Sequence, residues 1–214
     1  MPIWRRYARD YTRTIREYDL GDPGNPNELT EAEAWRSRII NSRLTRDERD
    51  QVVQRAMSAP WASVPADADL IDADPSVPGG LFTAMARLYW SFTWPERITG
   101  VAVAKVHKIL HQKRPGLFPI LDERIKSLYR PCATAWIDRL DYLGGVTIID
   151  SPPYWAAFRD DLVMNHHLLK AYQVQMADDG DETVRLLAKF TYVRLQDIIA
   201  WTIASRGHRT ASSA

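Results

Sequence analysis

One stretch of the chain, Ile98 to Arg130, constrains the possible fold more than any other, because it sets two helical runs on either side of a stop signal. Gly100 opens it. From Val101 to Gln112 the apolar residues Ala102, Val103, Val106, Ile109 and Leu110 gather on one helical face, the spacing of an amphipathic helix. The opposite arc carries Lys105, His107, Lys108, His111 and Gln112, and is expected to form a basic, hydrogen-bonding face. Pro115-Gly116 then stops the helix. After the apolar Phe118-Pro119-Ile120-Leu121 comes Asp122. A short carboxylate there can accept hydrogen bonds from the orphan N–H groups of a first helical turn, so Asp122 is expected to be an N-cap. Ile125, Leu128 and Tyr129 form the expected buried stripe of the helix it starts.

Helical periodicity continues on both sides. At the N-terminus Trp4, Tyr7, Tyr11, Ile15 and Tyr18 interleave with five arginines, Arg5, Arg6, Arg9, Arg13 and Arg16. Such a basic amphipathic helix either docks its aromatic stripe on a core or stacks on bases and pairs with phosphates. Residues 21–27 are a turn cluster; Thr30, followed by Glu31 and Glu33, marks a helix start, and helices are expected over 32–41, 46–57 and 81–92. Residues 60–80 hold prolines and four aspartates, Asp67, Asp69, Asp72 and Asp74, without a basic residue, and read as an acidic loop. Their spacing lacks the fixed glycine and terminal glutamate of a calcium loop. Beyond Arg130, helices are expected over 131–143, 154–176 and 182–205; Val146 to Asp150 is the one strand-like run, too short to make a sheet. Residues 206–214 read as a disordered tail.

The expectation is therefore an all-α chain forming a single compact unit. Its core spans 81–143, segments 1–59 and 150–205 pack as a second helical lobe, and the cleft between them holds the site. The lone Cys132 excludes an internal disulfide and, with no secretory signal or membrane-spanning run, fits the cytoplasm. No metal site is expected, since His107 and His111 have i, i+4 spacing but no evident third ligand. The formal net charge is +1, yet from Arg97 to Arg130 eight basic residues face only two acidic ones. Positive charge concentrated around a glycine turn suits a phosphate backbone, as it also suits a solvated helix face.

Taken together, Ile98-Thr99-Gly100-Val101 and Phe118-Pro119-Ile120-Leu121-Asp122, with Gly100 and Asp122 22 positions apart, resemble the helix-hairpin-helix superfamily of base-excision DNA glycosylases, most closely its adenine-mismatch branch. The resemblance covers about a sixth of the chain. It implies a helix-hairpin-helix core and duplex DNA as partner, with the hairpin at Gly100, Val101 and Ala102 holding a phosphate through backbone N–H groups, supported by Lys105, Lys108 and Arg124. It also implies that Asp122 stabilises the sugar cation formed when the base departs, which requires the base to be rotated out of the stack. This chain departs from the family at Thr99, where a proline is usual, and at Ala102, where a second glycine is usual. Ala104 stands where lyase-competent members carry a lysine, so any activity is expected to be monofunctional, with water attacking the sugar and no cofactor. The four-cysteine iron–sulfur motif and the N-terminal segment that supplies a second glutamate are absent. The alternatives that stay open are a DNA-binding or scaffold protein that has lost the chemistry and a helical protein without nucleic-acid affinity. The oligomeric state and the target base are not specified by the sequence.

Overall fold

A computed structural model describes the backbone of residues 2–211 and side chains through residue 205. The chain is all-α: helices and turns account for its regular structure, with no strand among the described residues. In order, α1 (Ile3–Asp10) leads into a π-helical segment (Thr14–Asp19), α2 (Glu31–Arg36) continues as a 3₁₀ turn (Ser37–Ile40), and α3 (Arg46–Ala56), α4 (Leu81–Thr93), α5 (Val103–Lys113) and α6 (Glu123–Thr134) follow. The chain closes with α7 (Pro152–Ala177), α8 (Glu182–Leu187) and α9 (Tyr192–Ala211).

Local chemistry explains the starts. Thr30 accepts from the Glu33 N–H at 3.3 Å while the Glu33 carboxylate accepts from the Thr30 N–H at 2.8 Å. Thr45 and Glu48 repeat this reciprocal cap at 3.2 and 2.9 Å. Each such cap contributes about 1 kcal/mol. Asp122 is the N-cap of α6, its Oδ1 accepting from the Arg124 and Ile125 N–H groups at 3.0 and 2.9 Å.

Four expectations differ from what forms. Residues 146–150 make a turn instead of a strand, because the Asp150 carboxylate accepts from both the N–H and the hydroxyl of Thr147 and folds the run back on itself. No new helix begins at Pro131; α6 runs through it to Thr134, with Pro131 exposed in the last turn, and 3₁₀ turns (Asp138–Leu143) follow. The segment 182–205 is two helices, since Thr191 caps α9 through the Arg194 N–H at 3.2 Å and ties its own hydroxyl to the Pro115 carbonyl at 2.7 Å. The backbone of α9 then stays helical to Ala211, past the expected start of the tail at Arg206, while residues 212–214 lie outside the described residues.

Packing divides the helices differently from the expected lobes. α2 and α3 lie with α4 and α5, whereas α6 lies on α7 and α9 with α1 against α8 and α9. One hydrophobic core runs through both groups, and α5 sits deep within it. That position overturns the expected basic face of α5: His107, His111, Gln112 and Lys113 are buried. His107, His111 and Gln112 of its polar arc therefore meet protein instead of water, while Lys105 and Lys108 are only partly covered. His107 Nδ1–H donates to the Val103 carbonyl at 2.9 Å while Nε2 accepts from the Trp155 indole at 2.9 Å. His111 Nδ1–H donates to the Phe118 carbonyl at 2.7 Å and its ring stacks beside Tyr18. Polar groups this deep need such partners.

Candidate functional site

The two groups of helices meet around a cavity of about 350 Å³. That is at the low end for a ligand pocket and leaves room for one small molecule. Four parts of the chain build it. The N-terminal segment contributes Tyr7, Tyr11 and Thr14; the turn after α2 contributes Ile39, Ile40 and Asn41; Lys108 and the loop from Ile120 through Asp122 to Arg124 and Ile125 form a third wall; and α9 supplies Arg194, Asp197, Ile198 and Trp201. The aromatic side is organised in advance: Tyr7 and Tyr11 stack at 4.8 Å between ring centres, and Trp201 meets Tyr11 edge-on at 5.8 Å.

Asp122 is therefore both a cap and a lining residue. Oδ1 is held by two backbone N–H groups, and the side chain is only partly covered, at the wall of the cavity. Arg124 beside it is exposed and donates to the Ser205 hydroxyl at 3.1 Å.

Bordering the cavity lies a buried ionic cluster that the sequence reading missed. Arg194 donates from Nε to Asp19 Oδ1 at 2.8 Å and from Nη2 to the Tyr7 hydroxyl at 2.8 Å, with Asp197 Oδ2 a longer contact at 3.4 Å. Asp197 Oδ2 also accepts from the Ile120 N–H at 2.9 Å, and its Oδ1 has no hydrogen-bond partner. Burial pushes the Asp197 carboxyl up to about 7 against the opposing pull of Arg194. Burial also raises Asp19, and it raises the hydroxyls of Tyr7 and Tyr18. Burial lowers Arg194, but the surrounding Asp19, Tyr7 and Asp197 outweigh it and hold the guanidinium above its ordinary value. The signal was present in the sequence as a charged i, i+3 pair, Arg194 and Asp197, inside a helix that is apolar over a wide arc; charges in such an arc are buried only when paired.

The expected DNA-contacting residues are not gathered on one open surface. Gly100 has φ 82° in a turn closed by the Val101 N–H on the Ile98 carbonyl at 2.9 Å, and Val101 itself is buried. Ala102 is exposed and stands before the first turn of α5, which has no side-chain cap. The carboxylate of Glu48 lies against Gly100 and holds Lys105 Nζ at 3.0 Å. Lys108 faces the cavity half-buried and donates to the Ile40 carbonyl at 2.7 Å; burial lowers its ammonium. The run of positive charge from Arg97 to Arg130 is in large part turned inward. Lys113 is buried against Glu33 and the carbonyls of Pro23 and Asn25, and Arg114 is fully buried on the carbonyls of Pro26, Trp61 and Val64. Lys126 lies over the Tyr154 ring. Arg97, Arg124 and Arg130 remain exposed.

Among the described residues no cluster of three or more histidine, cysteine or acidic side chains has metal-site geometry, and no helix is long and apolar enough to cross a membrane. The site belongs to an all-helical chain whose carboxylates, arginine and aromatic rings converge on one small cavity. The chain is a member of a family of unknown function, DUF6308, whose pattern matches residues 43–204. That span includes Glu48, Gly100, Asp122, Arg194 and Asp197, while Tyr7, Tyr11 and Asp19 lie before it. No curated protein and no solved structure matches the chain.

Proposed function

We propose that this cavity hydrolyses an N-glycosidic bond in the manner of a monofunctional helix-hairpin-helix glycosylase, on a nucleoside unit presented by DNA. The observation that carries the reading is the placement of Asp122: one oxygen is fixed by two N–H groups of the α6 first turn, on the wall of a cavity with room for one small molecule. A carboxylate held in this way needs no reorganisation to stabilise a positive charge developing on a sugar, the largest single contribution an active site can make. Tyr7, Tyr11 and Trp201 offer flat apolar surface to a heteroaromatic ring, and Ala104 in place of an amine leaves attack to water. The test incubates the protein with duplexes carrying mismatched adenine, uracil, oxidised or alkylated bases and then applies hot alkali. One duplex should be cut, and Asp122→Asn should slow base removal by about 10²-fold or more. Equal rates for the two proteins would remove Asp122 from the chemistry.

A second reading is favoured by Glu48. Its carboxylate lies against Gly100, at the turn where the first reading puts a DNA phosphate, and it neutralises Lys105. On this reading the cavity takes nucleosides outside a duplex. Release of free base from nucleosides, together with salt-independent or undetectable duplex binding, distinguishes it from the first.

A further inference from the structure

Asp122 accounts for the sugar side of the reaction and leaves the departing base without a proton donor. We infer that Asp197 is that donor: its carboxyl, among the residues that line the cavity, hydrogen-bonds a ring nitrogen of the bound base and protonates it as the glycosidic bond breaks. The inference rests on the glycosidase reading of the same cavity.

Three observations carry it. Asp197 borders the cavity and is 1% exposed, so bulk water does not compete for its carboxyl. Its Oδ1 is buried with no partner, and an unpaired buried polar atom is costly unless something that binds there completes it. Finally, the charge count of the cluster favours a bound proton: Arg194 is one cation against two carboxylates, and its short contact, 2.8 Å, is with Asp19, while Asp197 has only the 3.4 Å one. The excess proton therefore resides on Asp197. The groups that face it are Tyr7 from α1, Tyr18 and Asp19 from the π-helical segment, Lys108 from α5, Asp122 and Tyr129 from the start and middle of α6 and Arg194 on its own helix. Burial sets the titration of Asp197 near neutrality, the range in which an acid both holds and releases a proton.

The step balances. The bond between the anomeric carbon and the base nitrogen breaks with its electron pair going to the base, which takes the Asp197 proton. The sugar cation is stabilised by the Asp122 carboxylate, water adds its oxygen to the anomeric carbon, and the proton it loses returns to Asp197.

The Ile120 amide donates to Asp197 Oδ2, so its NMR shift reports the titration in the unmodified protein. It should titrate near neutral pH and move on addition of free adenine, the probe base, with adenine affinity falling as pH rises through that midpoint. An Ile120 amide that does not titrate between about pH 5 and 9 overturns the inference whether or not DNA is deglycosylated. In turnover, Asp197→Asn should slow release of purines, which depart well only when protonated, by about 10²–10⁴-fold. It should change release of 5-fluorouracil, which departs as a stabilised anion, far less. Equal effects on both leaving groups overturn the donor role while leaving the Asp122 reading intact. Loss of both activities in Asp122→Asn alone, with Asp197→Asn fully active, does the same. A wild-type protein that releases no base from any substrate, yet shows the titration and the pH-linked adenine binding, overturns the glycosidase reading and keeps Asp197 as the ligand's hydrogen-bond donor.

Discussion

Lys105 Nζ meets Glu48 Oε2 at 3.0 Å beside the bare Cα of Gly100, where a Cβ would stand 1.9 Å from Glu48 Oε1. The turn also needs φ 82° at Gly100, a conformation L side chains rarely adopt. Gly100→Ala therefore combines backbone strain with a clash and should destabilise the fold by about 1–3 kcal/mol. Chemical denaturation of the two proteins measures it. An unchanged midpoint would mean that the Glu48 carboxylate swings away freely.

Removing the charge at Glu48 separates stability from the proposed DNA contact. Burial raises the Glu48 carboxyl, but the Lys105 hydrogen bond and the Thr45 N–H outweigh it, so the folded value lies below the ordinary one. A depressed carboxylate stabilises the fold above its unfolded value, about 4.3, and that contribution disappears as pH falls through the folded value. The stability gap between wild type and Glu48→Gln should accordingly be present at pH 7 and shrink below about pH 4. In the same variant Lys105 and the hairpin face are released, and duplex binding at low salt, followed by fluorescence anisotropy, should strengthen with a steeper salt slope. Unaltered binding would show that the hairpin is not a phosphate site.

His107 and His111 give the fold a pH dependence of the opposite kind from a salt-bridged histidine. Burial pushes them down to about 4 and about 3 respectively. Both are neutral when folded, whereas the unfolded chain takes up protons near pH 6.5, so stability is full above about pH 6.5 and falls as the solution is acidified. Each histidine should contribute a slope of about 1.4 kcal/mol per pH unit between roughly pH 6 and 4.5. Urea unfolding across that range should show His111→Gln with a shallower slope than wild type, despite its lower stability at pH 7.5. Parallel slopes would mean that His111 is already protonated in the folded state.

These histidines also show where sequence periodicity stops being informative. The apolar face of α5, the stop at Pro115-Gly116 and the cap at Asp122 were all legible, because spacing, proline and short carboxylates act locally. Periodicity identifies the more apolar face of a helix but not whether the other face meets water. α5 is covered over most of its length, and His107, Lys108 and His111 on its polar arc are satisfied by Val103, Trp155, Ile40 and Phe118, partners up to 68 residues away in sequence. The same limit hid the charge pairing. Lys113 with Glu33, Lys105 with Glu48 and Arg194 with Asp19 join distant segments, so a basic run counted along the chain overstated the field outside it. Asp122 was found because its signal is local, and Asp197 was missed because its i, i+3 pairing with Arg194 does not by itself reveal burial, which arises only when Ile120 reaches Asp197 and Asp19 reaches Arg194 after folding.

The cap that Asp122 forms and the role proposed for it at a sugar cation make a prediction in which stability and activity change in different orders. As a cap, its Oδ1 accepts from the Arg124 and Ile125 N–H groups at 3.0 and 2.9 Å. Asparagine offers a side-chain oxygen in the same place and is an equally good N-cap, while alanine leaves the two donors to water at a cost of about 1 kcal/mol. Asp122→Asn should therefore unfold within a few tenths of a kcal/mol of wild type, and Asp122→Ala about 1 kcal/mol earlier. In the role proposed for it opposite a sugar cation, what matters is the negative charge, which both variants lack. Base release should fall by about 10²-fold or more in each, with asparagine no better than alanine. Denaturation curves and single-turnover base release, measured on the same preparations, check the two orders together. Activity that followed stability, with asparagine near wild type and alanine impaired, would reduce Asp122 to the cap of α6 and leave the cavity without its cation-stabilising group.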